Sequence, residues 1–195
     1  MKQLIFGGAR SGKSSLAESI TQSYGERIAY IATADKQFHD DEMRARVKHH
    51  RQQRPDHWQT IEQPLQLGQC LLDNGSDYNS SEYNSSDYKR FKYDAIMVDC
   101  LTLWLTNCLM QEEKQPDFWK HEKQALLDAL ETIEVPVIIV SNEVGMGIVP
   151  LGELNRRFVD EAGFLNQAVA QICDRVVFTA AGLPMVLKGP AVDPA

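Results

Sequence analysis

Residues 3–15 read "QLIFGGARSGKSS". An apolar run enters a glycine-rich turn, and a helical pattern, "KSSLAESITQSY", leaves it at residue 13. The inner stretch "GGARSGKS" (7–14) fits G-x-x-x-x-G-K-[ST], with Gly7, Gly12, Lys13 and Ser14 at the required positions. Glycines let the backbone wrap so that its N–H groups converge on phosphate oxygens. The helix start adds partial positive charge. On this reading Gly7, Gly8, Ala9, Arg10, Ser11, Gly12, Lys13 and Ser14 form a nucleotide cradle. Lys13 is the catalytic cation on the outer phosphates, and the Ser14 hydroxyl is a Mg²⁺ ligand.

Outward from this loop, apolar runs recur: "RIAYIAT" (27–33), "DAIMVDC" (94–100), "VPVIIVSNE" (135–143), "DRVVFTAAG" (174–182) and "PMVLKG" (184–189). They are continuous rather than alternating, as expected of parallel strands covered on both faces. Helical patterns lie between them, at 117–133 and 151–173, with Pro150 suited to the start of the second and Gly163 to an interruption of it. The expected architecture is α/β: a P-loop NTPase (RecA-like) fold with a mainly parallel central sheet and helices on both faces. It spans residues 1–195 as a single domain. Asp99 ends the third apolar run, where the carboxyl ends of such strands border the ligand crevice. It is a candidate Mg²⁺ and nucleotide contact. Asn142 and Glu143 end the next run in the same manner, without an assigned role. "NGSDYNSSEYNSSDYKR" (74–90) is low-complexity and polar, and is expected to form a mobile surface loop.

Composition narrows the partners. Across 195 residues the hydrophobic share is 43% and the net charge is -7. That balance argues against nucleic acid as the main partner, which needs broad phosphate neutralisation. Cys70, Cys100, Cys108 and Cys173 show no C-x-x-C spacing, so they read as core residues in a reducing compartment. No apolar run reaches the length of a membrane span or a signal peptide, and a cytoplasmic protein without stable membrane insertion is expected.

A second constellation is "DDEMRARVKHHRQQR" (40–54), which reads as a helix. Met43, Val47 and His50 share one face, while Glu42, Arg46 and His49 share the neighbouring polar face. His49 is therefore better placed to reach a ligand. A neutral imidazole can attack phosphorus, and Arg46, Lys48, Arg51 and Arg54 would clamp phosphates. From spacing alone, a solvated basic helix with two ordinary histidines is the simpler reading.

Taken in order, "FGGARSGKS", "YIATA", "DDEMRARVKHHRQQRPDHWQTIEQP", "VDCLTLWLTN", "VSNEVGMGIVP" and "NRRFVDEAGFLNQAVAQICDRVVFTAAGLPMVLK" cover nearly the whole chain. In these blocks the sequence resembles the bifunctional adenosylcobinamide kinase / adenosylcobinamide-phosphate guanylyltransferases of cobalamin assembly. The resemblance implies two reactions. ATP or GTP phosphorylates the aminopropanol hydroxyl of adenosylcobinamide. GTP then guanylylates a histidine, and GMP passes to the cobinamide phosphate, releasing pyrophosphate. The guanylylated histidine falls on His49. Nucleotide contacts fall on Ala32, Thr33 and Ala34, on His50, Arg51, Gln52 and Gln53, on Glu62 and on Asp99. Some relatives carry Glu at the last position; Asp is one methylene shorter, which leaves direct or water-mediated contact open. Relatives commonly form trimers, so a homo-oligomer is expected, with "VPLGELNRRF" as a contact surface. A simple P-loop kinase and a nucleotide-driven motor are the competing classes.

Overall fold

Each continuous apolar run becomes a strand. In the computed structural model, which describes residues 1–35, 55–76 and 91–191, seven strands form one sheet in the order β3-β2-β4-β5-β1-β6-β7. They are β1 (Lys2–Gly7), β2 (Ile28–Ala32), β3 (Gln59–Glu62), β4 (Ala95–Asp99), β5 (Val137–Asn142), β6 (Arg175–Ala180) and β7 (Leu183–Lys188). All neighbours are parallel except β6 and β7, which pair antiparallel. The helices are α1 (Lys13–Gln22), α2 (Leu67–Gly75), α3 (Leu101–Glu112), α4 (Phe118–Thr132) and α5 (Glu153–Ile172).

The strand period of two divides the core. Leu4, Ile31, Ile96, Val98, Val137 and Ile139 face one side, with Leu101, Trp104, Leu126, Leu130, Leu165 and Val169 from the helices. Ile5, Tyr30, Met97, Ile138, Val140 and Val177 face the other, with Ala17 and Ile20 of α1. Both faces are therefore covered, which is what the unbroken apolar runs require. All four cysteines are free and buried. Burial pushes the Cys100 thiol up to about 11 and the Cys173 thiol up to about 12, so both stay protonated.

Four expectations change. α5 is one unbroken helix, because a Cβ at Gly163 would meet nothing within 4 Å and the residue simply occupies an open face. Pro150 does not open that helix; Gly152 caps it at φ 90. The polar segment does not begin at 74, since Asn74 and Gly75 complete α2 and the Asn74 amide donates to the Cys70 carbonyl. β3 and α3 are additional elements. The expected 40–54 helix, with His49 and His50, and residues 77–90 lie outside the described residues. Among those described, no helix is long and apolar enough to cross a membrane.

Candidate active site

The sheet register brings the carboxyl ends of six parallel strands into one row. Glu62 pairs with Ala32, and Ala32 with Asp99. Asn142 pairs with Gly7, and Gly7 with Thr179. β5 lies between the strand that carries the glycine loop and the strand that carries Asp99. Residues far apart in sequence thus share one edge, at the topological position where open α/β sheets bind ligands.

The loop itself has little freedom. A Cβ on Gly7 would lie 2.2 Å from the Thr179 carbonyl oxygen and 2.8 Å from the Ser11 hydroxyl. Gly12 holds φ 92 at the helix start, a conformation that favours glycine. Arg10 adopts φ 57 at the exposed crest of the loop. The Gly182 N–H donates to the Ser11 carbonyl at 2.9 Å, fastening the loop to the β6–β7 turn. Lys13 Nζ donates to the Gly8 carbonyl at 3.2 Å, so its ammonium arches over the loop. Ser11 Oγ and Thr179 Oγ1 are buried with no hydrogen-bond partner among the described residues. Buried hydroxyls of this kind call for a ligand or water.

Asp99 is held from the side. The Tyr30 hydroxyl donates to Asp99 Oδ2 at 2.5 Å. Thr33 locks the next residue: its hydroxyl donates to the Cys100 carbonyl at 2.8 Å and accepts from the Cys100 N–H at 2.8 Å. The Thr33 carbonyl accepts from Asn107 Nδ2 at 2.8 Å, and its N–H reaches the Asp99 carbonyl at 3.1 Å. Thr33 is fully buried. Its hydroxyl is committed to Cys100, the residue that follows Asp99. Ala32 and Ala34 are half-buried beside it, and Glu62 is exposed at the end of β3. Asn142 Nδ2 donates to Thr102 Oγ1 at 2.7 Å.

The donor set suits Mg²⁺. Ser14 and Asp99 offer hard oxygen ligands, and among the described residues no group of three or more His, Cys, Asp or Glu gathers to cage a metal. Mg²⁺ characteristically takes one or two protein oxygens and fills its shell with water and phosphate.

Residues 3–187 match the family described as cobinamide kinase / cobinamide phosphate guanyltransferase. The chain belongs to this family. Its relatives include the bifunctional adenosylcobalamin biosynthesis protein CobP of Pseudomonas aeruginosa, 49% identical over 97% of this chain and 98% of its own. The bifunctional adenosylcobalamin biosynthesis protein CobU of Escherichia coli is 37% identical over 96% of this chain and 100% of its own. Membership makes the chain a bifunctional transferase with a kinase and a guanylyltransferase activity. A prototypical ATPase from the type III secretion system of pathogenic bacteria shares the fold. Its TM-score is 0.54 at 13% identity, over 95% of this chain and 56% of that one. The architecture is accordingly that of an α/β P-loop NTPase.

The glycine loop and the Asp99 strand end thus lie along the same edge of the sheet. Of the expected site residues, Gly7 to Ser14, Ala32 to Ala34, Glu62 and Asp99 stand along one edge; His49 to Gln53 lie outside the described residues. Tyr30, Thr179 and Gly182 were not expected. Thr179 and Gly182 carry only the signal of a polar or small residue toward the end of an apolar run, and Tyr30 sits in the middle of one.

Proposed function

We propose that this chain phosphorylates the aminopropanol hydroxyl of adenosylcobinamide with ATP or GTP and then converts the product to adenosylcobinamide-GDP. The observation that carries the reading is the row of Ala32, Asp99 and Gly7 along one edge of the sheet, with β5 between the last two, in a chain of this family. The backbone N–H groups of residues 8–14 would bind the phosphates, and Lys13 would leave the Gly8 carbonyl for the outer ones. Ser14 and Asp99 would hold Mg²⁺, whose contribution when bound is to neutralise charge on the phosphates.

In the second step a His49 ring nitrogen attacks the α-phosphorus of GTP. The bond to the bridging oxygen breaks and pyrophosphate leaves with the electron pair. The cobinamide phosphate oxygen then attacks the same phosphorus, and the P–N bond returns its electrons to His49. The chain would act as a homo-oligomer, since Met146, Ile148, Val149 and Leu151 are strongly exposed next to the start of α5.

The test is turnover with adenosylcobinamide and α-labelled GTP, followed by mass spectrometry of products and of denatured protein. Phosphate addition, GDP product and an acid-labile label on the chain are expected, with the label lost in His49→Ala. Phosphorylation without any protein-bound nucleotide would instead establish a simple kinase.

A further inference from the structure

Glu143 is not used by the chemistry above. It follows Asn142 at the end of β5, and its N–H donates to the carbonyl of Gly7 at 3.0 Å. That bond attaches it to the first residue of the phosphate loop. Because β5 separates β1 from β4, Glu143 emerges between the cradle and Asp99. Its carboxylate is oriented: Oε1 accepts from the Gly145 N–H at 2.5 Å and the Met146 N–H at 3.2 Å. No Lys or Arg pairs with it among the described residues, and it is half-buried. An uncompensated carboxylate beside a polyanion site opposes binding of that polyanion. Such a group is expected where it has chemical work to do.

We propose that Glu143 is the general base of the kinase step, an assignment that rests on the function proposed above. Oε1 is occupied by the two N–H donors, so Oε2 is the oxygen that would take the proton of the acceptor alcohol. The alcohol proton passes to Oε2 as its oxygen bonds to the γ-phosphorus. The bond from that phosphorus to the β,γ-bridging oxygen breaks, and the nucleoside diphosphate leaves with the electron pair. Glu143 then returns the proton to solvent. The guanylyl steps need no such base, because their nucleophiles are a neutral imidazole and an already ionised phosphate.

The two steps therefore separate in one variant. Glu143→Gln keeps an oxygen for the Gly145 and Met146 N–H groups but accepts no proton. Supplied with adenosylcobinamide phosphate and GTP, it should form GDP product within about threefold of wild type and retain the histidine label. Supplied with adenosylcobinamide, it should phosphorylate at least about 100-fold more slowly, the lower end of what a positioned base contributes. Glu143→Asp, a carboxylate one methylene short, should recover part of that rate. Three results would overturn the assignment: kinase activity of Glu143→Gln near wild type, equal loss of both steps, or Asp and Gln variants equally slow. A wild-type chain that phosphorylates no cobinamide would overturn the proposed function itself, and this base with it.

Discussion

Replacing Thr33 with Val isolates the hydroxyl that holds the end of β4. The side chain is fully buried and Val nearly matches its volume, so packing is conserved. Two hydrogen bonds to Cys100 disappear. The Cys100 carbonyl keeps the Trp104 N–H at 3.2 Å, so its loss is an ordinary one of about 1 kcal/mol. The Cys100 N–H is left buried with no partner, at a cost of about 1–3 kcal/mol. The sum centres near 3 kcal/mol, or a fall in Tm of about 6–12 °C for a domain of this size. Thr33→Ser keeps both bonds and loses one methyl, at about 1 kcal/mol. Thermal melts monitored by circular dichroism should therefore rank wild type above Ser and Ser above Val. Hydrophobic burial alone predicts the reverse for Ser and Val. A Val variant that melts within about 2 °C of wild type would refute the latch, since one orphaned N–H already exceeds that shift.

Gly7→Ala should abolish nucleotide binding in a titration, because its Cβ meets the Thr179 backbone at 2.2 Å. Gly8→Ala meets nothing within 4 Å and should melt near wild type. Asp94 is held below the usual carboxyl value by hydrogen bonds from Arg27, so it contributes stability above that value of 3.8 and loses it as pH falls toward the lower folded-state one. Urea midpoints of Asp94→Asn and wild type should differ at neutral pH and converge in acid. Burial raises Glu122 above 4.5, and its Oε2 has no partner among the described residues. The sign is opposite: its contribution is lost as pH rises through the folded-state value, so Glu122→Gln should raise Tm at pH 7–8, with the gain shrinking toward pH 4.5.

The sequence made the central strands legible because burial on both faces removes alternation, as in "IFG" and "IIVSN". The same uniform burial hid α3: "LTLWLTNCLMQE" is apolar nearly all round and shows little helical period. β3 was hidden by brevity, with four residues of which three are exposed. The phosphate loop could be read because its chemistry is contiguous, and Asp99 because it ends a strand. Tyr30 and Thr179 could not. They enter the site only through the strand order, which sets β6 beside β1 and β2 beside β4, and pairing order is not written locally in any segment.

The tie between Gly182 and Ser11 has a consequence for how the protein is made. The nucleotide loop is translated about 170 residues ahead of its floor at Thr179 and its fastening at Gly182. At synthesis rates of about 5–20 residues per second, β1 waits roughly 10–30 s for its neighbour β6. A nascent chain cut short before the final hairpin carries the whole loop sequence without the support that shapes it. A nucleotide that binds the supported loop and not the unsupported one would therefore stabilise only chains in which β6 and β7 have formed.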